Sequence, residues 1–400
     1  MSKLEELIKE FCPNGVIRVT IGKICKISRG IVMSKDFIRD NHGDYPVYSS
    51  QTENNGCLGY INTYKYDGEY VTWTTDGANA GTVFYRSGKF SITNVCGLLE
   101  VKDLMVVNTK YLYYALSIEA RRYVNQGMGN PKLMSNIMAS VQIPLPALPV
   151  QREIVRILDG FMLYSAELTA ELTARRKQYE FYRDKLLTFE KTEVKQMPLG
   201  KLAKFTYGYT DVAKDVGDAR FIRITDINED GCLASGNCKY ITLNDESKKY
   251  LLKEGDLLLA RTGATYGKTL YFPNNEPAVY ASFLIKIDLD NSVILNRYYW
   301  HFSKSNLYWK QADKYVSKAG QQQFNTNAVS RVIVPVPPIE VQERIVKVLD
   351  NFDEICSNLK IGLPAEMEKR QQQYEYYRDK LLEFNVNINK DINITGGGSR

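Results

Sequence analysis

The sequence predicts a mixed α/β protein: two β-rich α/β globules in pseudo-two-fold tandem, separated by two long helices forming an intramolecular antiparallel coiled coil. Three observations lead there. Residues 151–159 (QREIVRILD) return as 342–350 (QERIVKVLD), and 179–187 (YEFYRDKLL) return as 374–382 (YEYYRDKLL). Each first block opens a stretch whose apolar residues recur in steps of three and four, the spacing of a helical seam. The segments between the helices instead alternate short apolar runs with Gly, Asn and Asp turns, the pattern of strands.

Taken in order, residues 1–11 form an amphipathic opening helix. Phe11 precedes Gly22 by the same 11 residues that separate Phe189 from Gly200, so this helix matches the end of the first long helix and makes the duplication cyclic. Residues 12–150 form the first globule, with strand-like runs at 70–73 and 81–85 and an amphipathic helix at 110–124. The first long helix, 151–190, carries Ile154, Leu158, Phe161, Leu168, Leu172, Tyr179, Tyr182, Leu186 and Phe189 on its seam, with Ser165 and Arg175 at the two remaining positions. From Arg152 to Phe189 such a helix is about 57 Å long at 1.5 Å per residue, a spacer rather than a core element.

The second globule, 191–340, has strand-like runs at 220–224, 256–260 and 283–287 and an amphipathic helix at 297–316. Its long helix, 341–385, continues the seam from Ile345 to Phe384. Four extra residues, 360–363, precede Pro364 there, which predicts a break with the helix restarting at the proline. The seam could pack on its own globule, but its repeat is the nearest partner. Residues 386–400 read as a tail, ending in a Gly-Gly-Gly-Ser-Arg stretch.

Composition narrows the function classes. The chain has 400 residues, 44% hydrophobic and 24% charged, with a net charge of +6. That is an ordinary globular composition whose mild basic excess admits nucleic acid without requiring it. No apolar run reaches the roughly 18 residues of a membrane span, and the charged start does not read as a signal peptide, so a cytoplasmic protein is expected. The 7 cysteines include no Cys-x-x-Cys pair, and the 2 histidines, His42 and His301, complete no metal or nucleophile motif. Neither a metal site nor a catalytic residue is expected. Residues 263–269 (GATYGKT) fall one residue short of a phosphate-binding loop and lack its βαβ setting, which leaves ATP binding a weak alternative.

The polar turns are more informative. In the first globule they carry Ser49, Ser50, Gln51, Asn54, Thr74, Thr75, Asp76, Asn79, Asn130 and Lys132. In the second they carry Arg261, Thr262, Thr265, Tyr266, Lys268, Gln321, Gln322, Gln323 and Asn325. Asn and Gln can bond bidentately to adenine, Arg and Lys to guanine, and hydroxyls to phosphates, so such loops suit a DNA groove. Polar turns are also common on any soluble fold. Gly129 and Gly320 nevertheless lie the same 14 residues before Ile143 and Val334, which puts one kind of loop at one place in each half.

The paired blocks, the paired YRDKLL ends and the two dissimilar globules resemble the specificity (S) subunit of type I restriction-modification enzymes over nearly the whole chain. The near-repeat at 165–172 (SAELTAEL) is similar to that family as well. The resemblance implies that each globule is a target recognition domain reading one half of a bipartite site in double-stranded DNA. It implies that the helices set the spacer and dock two methyltransferase (M) subunits, with restriction (R) subunits as further partners and no membrane association. By the same resemblance this subunit is non-catalytic and holds no cofactor. S-adenosylmethionine belongs to M, which methylates adenine, and ATP with Mg to R, which drives cleavage. The interruption near Pro364, present in one helix only, departs from strict symmetry. A stand-alone ATPase and a protein-binding scaffold remain as readings from other classes.

Overall fold

A computed structural model describes residues 2–127, 129–190, 193–234, 236–273, 276–317, 322–357 and 362–384. Gln321, the inserted Lys360 and Ile361, and the tail 386–400 lie outside them. The chain divides into two compact units, one of Met1–Ala166 with Lys369–Arg400, the other of Glu167–Glu368.

In the first unit the opening helix, Lys3–Phe11, starts in a capping box in which Ser2 Oγ accepts the Glu5 amide and the Glu5 carboxylate accepts the Ser2 amide. These bonds satisfy two donors that the first helical turn leaves open. A short antiparallel pair, β1 (Ile17–Thr20) with β8 (Gln142–Leu145), follows. The main sheet has six strands: β2 (Cys25–Arg29), β3 (Tyr45–Tyr48), β4 (Cys57–Ile61), β5 (Tyr66–Thr74), β6 (Val83–Ile92) and β7 (Cys96–Val101), ordered β2-β7-β5-β6-β3-β4. The helix Thr109–Glu119, capped by the Asn108 side chain on the Tyr111 amide, buries Tyr111, Leu112 and Leu116 in one core with Val71, Trp73 and Leu99.

The second unit repeats this topology in divergent sequence. Its β9 (Lys195–Pro198) pairs with β17 (Ile333–Val336), as β1 pairs with β8. Strands β10 (Ala203–Tyr207), β13 (Leu257–Ala260), β14 (Thr269–Tyr271) and β16 (Leu284–Leu289) are ordered β10-β16-β13-β14, while β11 (Ala219–Ile222), β12 (Tyr240–Ile241) and β15 (Ala278–Tyr280) form a separate sheet ordered β12-β11-β15. Register fixes the correspondence. Arg29 faces Gly97 and Trp73 faces Gly97 in the first unit, and Tyr207 and Leu259 face Ile285 in the second. The long β6 corresponds to β14 plus β15, since β3 runs parallel to the end of β6 and β11 runs parallel to β15. One continuous sheet has thus become two.

The expected long helices are present. The first is continuous over Leu148–Leu186; the second comprises Ile339–Ser357 and Leu363–Leu382, so the predicted break occurs and the restart falls one residue before Pro364. Between Phe161 and Tyr179 the half-buried positions are Ser165, Leu168 and Leu172, whereas Arg175, expected on the seam, is exposed. The start of each helix packs on the end of the other. In the first unit Phe161 stacks on Tyr377 with ring centroids 5.5 Å apart, and Tyr374 and Leu382 are buried with Ile154 and Leu158. In the second, Tyr182 stacks on Phe352 at 5.7 Å, and Tyr179 and Leu187 are buried with Ile345 and Leu349. Start against end in both units is the antiparallel sense expected. The fully buried Ile154, Leu158 and Leu349 each contribute about 1.5–3 kcal/mol by burial.

Candidate nucleic-acid interface

Where β5 ends, the chain turns at Gly77, whose φ of +100° favours a residue without Cβ. This turn is stitched to the loop before β8. The Leu133 amide donates to the Thr75 carbonyl at 2.9 Å and the Gly77 amide to the Pro131 carbonyl at 3.0 Å, so the backbones of Asp76 and Lys132 pair as an antiparallel β-bridge. The second unit builds the same stitch where β13 ends. There the Phe324 amide donates to the Arg261 carbonyl at 2.7 Å, the Gly263 amide to the Gln322 carbonyl at 3.2 Å, and Thr262 bridges Gln323. Leu133 and Phe324, both fully buried, anchor the two loops from beneath. The loop pairs singled out by the sequence are therefore joined, at equivalent positions, in both units.

Within the first platform the loop 49–55 lies alongside. Asn79 Nδ2 donates to Thr52 Oγ1 at 3.0 Å, and the Thr93 hydroxyl donates to Ser49 Oγ at 3.1 Å. Asn54, Asn79, Asn130 and Lys132 are exposed, and Ser49, Ser50 and Asp76 are half-buried. In the second platform Gln323 is exposed, and Arg261, Thr265 and Gln322 are half-buried.

Several side chains expected to contact a ligand are occupied in holding the loops. Thr74 and Thr75 are 0% exposed and Thr262 2%. The Thr74 hydroxyl donates to the Asn79 carbonyl and that of Thr75 to the Val95 carbonyl, so these two threonines hold their turn from inside. Gln51 Nε2 donates to the Cys57 carbonyl. The Tyr266 hydroxyl donates to Asp313 at 2.6 Å; burial, then that bond, pushes its pKa up to about 12. Asn325 caps the short helix Thr326–Val329 by accepting the Ala328 amide at 3.0 Å. Lys268 lines a cleft of about 290 Å³ with Arg176, Arg183, Lys304 and Trp309.

Sequence reasoning missed Arg29, Tyr207 and Phe283. Arg29 ends β2 and donates to Thr75 Oγ1 at 2.8 Å and to the Asn94 carbonyl, with Asp76 at 3.6 Å. Arg261 lies over the rings of Tyr207 and Phe283, 5.3 and 5.4 Å from their centroids. A signal did exist. Gly22 and Gly30 are eight residues apart, as are Gly200 and Gly208. A Cβ on Gly30 would lie 1.9 Å from the Ile92 carbonyl oxygen, and one on Gly208 2.2 Å from that of Ala281. Each second glycine therefore marks the end of an equivalent strand.

Below the platforms, two aspartates lock the helix starts. Asp159 accepts from Lys110 at 2.6 Å and from the Tyr114 hydroxyl at 2.8 Å. Asp350 accepts from Arg297 and from His301 Nε2, both at 2.7 Å, and the Tyr179 hydroxyl lies 3.1 Å from His301 Nδ1. Burial pushes the His301 pKa down to about 4, so the ring is neutral near pH 7, donating to Asp350 and accepting from Tyr179. Among the described residues no group of three or more His, Cys, Asp or Glu could hold a metal, and no helix is long and apolar enough to cross a membrane.

One loop platform, built twice on one duplicated frame, defines a protein of two tandem recognition modules. The profile of the type I restriction modification DNA specificity domain matches residues 13–175 and again 191–369, and the chain belongs to that family. It is 34% identical over 371 residues to a type I specificity subunit of Mycoplasma pneumoniae, covering 91% of this chain and 96% of that one. To a type I restriction enzyme specificity subunit of Haemophilus influenzae it is 30% identical over 361 residues, covering 86% and 89%. The fold is similar to the crystal structure of the type I restriction-modification S subunit from M. genitalium, with a TM-score of 0.56 at 15% identity, covering 92% of this chain and 96% of that one. Specificity subunits are the non-catalytic members of their systems, and DNA recognition is the role that follows from the family.

Proposed function

We propose that each unit reads one half of a bipartite site in double-stranded DNA, through the 75–79 and 129–133 loops in one and the 261–265 and 322–325 loops in the other. The observation that carries this reading is the equivalent stitch in both units, Asp76 with Lys132 and Thr262 with Gln323. A shared backbone brace carrying different side chains is what two half-sites of different sequence require. On the same reading the long helices set the spacer and dock two M subunits, which bring S-adenosylmethionine, and R subunits bring ATP and Mg. The protein works in the cytoplasm, and alone it neither methylates DNA nor hydrolyses ATP.

Sequencing of methylated bases in cells expressing the chain with its M partner tests this reading. A bipartite motif is expected, and exchanging residues 12–150 for another recognition domain should change one half of it. A change in both halves would contradict the assignment. ATP hydrolysis or methyl transfer by the isolated chain would contradict the non-catalytic role.

A further inference from the structure

Strand register makes Arg29 equivalent to Tyr207 and Thr75 equivalent to Arg261, so the two arginines occupy different positions of the shared frame. Their guanidinium groups nevertheless arrive at one place. Arg29 donates to the carbonyl of Asn94, and Arg261 Nε donates to the carbonyl of Ser282 at 3.1 Å. Those carbonyls are equivalent: the Thr75 amide bonds the next carbonyl, of Val95, and the Arg261 amide bonds the next carbonyl, of Phe283. One unit reaches the spot from the end of β2, the other from the end of β13.

We infer that this shared guanidinium position is the cation of each module that meets DNA, Arg261 taking a pair of acceptor atoms and Arg29, whose Nη2 is already engaged within the protein, taking one through Nη1. The inference rests on the two-module DNA reading above. The fork of an arginine matches the O6/N7 edge of guanine, and it also matches a phosphate. The surroundings differ in a useful way. Arg29 Nη2 donates to Thr75 Oγ1 and to the Asn94 carbonyl, with Asp76 at 3.6 Å and Nε buried, which fixes its direction and leaves Nη1, 3.9 Å from Met134 Sδ, to meet a ligand. Arg261 lies over two rings that are 42% and 51% exposed, Tyr207 and Phe283, and no carboxylate of the described residues pairs with it. A cation held over aromatic faces and bonded, among the described residues, only through Nε leaves its Nη atoms for a ligand. Asp76 is then a positioning residue for Arg29.

The test uses the chain co-expressed with its M subunit, with methylated motifs read by sequencing and the purified complexes checked for assembly and melting temperature. Arg261→Lys should open one base position in one half-site, lowering discrimination there by roughly 5- to 150-fold, and leave the other half intact. Arg29→Lys should do the same in the other half, and Asp76→Asn should weaken discrimination at that same base by a smaller factor. If lysine preserves the motif while Arg29→Ala and Arg261→Ala lower methylation equally at all sites, the acceptor is a phosphate, and the shared site stands. The inference fails if every variant leaves motif and extent of methylation unchanged. It also fails if methylation is lost only together with assembly or a collapsed melting temperature in the Ala, Lys and Asn variants alike. Absence of a bipartite motif with the wild-type chain would instead overturn the reading on which the inference rests.

Discussion

Gln151 and Gln342 hold the same buried clasp, each at the head of its long helix. Gln151 Oε1 accepts the Asn108 amide at 2.8 Å, and its Nε2 donates to the carbonyls of Val106 and Pro146 at 2.9 and 2.8 Å. Gln342 bonds Leu295, Val293 and Pro337 at 2.9, 2.9 and 2.8 Å in the same way. Both side chains are fully buried, so truncation leaves a donor and two acceptors without partners or water. Gln151→Ala and Gln342→Ala should each destabilise the chain by about 2–4 kcal/mol in urea denaturation. A loss below about 0.5 kcal/mol would show that the clasp is dispensable.

Gly97 carries Trp73 across its surface: a Cβ there would lie 2.2 Å from the indole ring. The corresponding pair in the second unit is Ile285 with Leu259, large and medium where the first has none and large. Gly97→Ala should cost about 1–3 kcal/mol by overpacking. Adding Trp73→Leu should relieve that cost, giving a coupling of at least about 1 kcal/mol in a double-mutant cycle. Strict additivity would contradict the contact.

The His301 pKa is pushed down to about 4 by burial, against 6.5 for the free ring. Between those values the unfolded chain binds a proton that the folded chain does not, so stability present above pH 6.5 is lost as pH falls toward 4. For a shift of this size the loss approaches about 3 kcal/mol. His301→Gln should flatten the denaturation free energy of the chain across that window relative to wild type. Equal slopes would mean that the ring does not titrate in the fold.

Leu168 and Leu172 are half-buried seam residues inside one continuous helix. Inserting Thr-Ala-Glu-Leu after Leu172 adds about 6 Å of helix and turns it only some 40° beyond a full turn. On the bipartite reading proposed above, the half-sites should stay as they are, while the unspecified spacer between them grows by about one base pair of about 3.4 Å, as read from methylated motifs. An unchanged spacer would show that this helix does not set the distance.

The helical frame was legible because its residues repeat: the blocks at 151–159 and 342–350 place Gln151, Asp159, Gln342 and Asp350 in identical roles. The loop pairing was legible through the matched glycines. The common sheet topology was not, since Trp73 with Gly97 and Leu259 with Ile285 solve the same packing problem with unlike residues, and period alone cannot show that. Arg29 stayed hidden because a strand-end arginine reveals its partners, Thr75 and Asp76, only through register. His301 read as incidental until Asp350 and Tyr179 closed on its two ring nitrogens.

Each unit takes the start of one long helix and the end of the other, with Tyr374 in the first and Tyr179 in the second. The residues at these junctions occupy equivalent places: Gln151 and Gln342, Asp159 and Asp350, Tyr179 and Tyr374. Genes that cross over within the DNA encoding these blocks would therefore yield chains whose buried clasps are all intact, whatever recognition loops they inherit. Reshuffling at these seams is therefore expected to change the recognition loops while leaving the buried clasps in place.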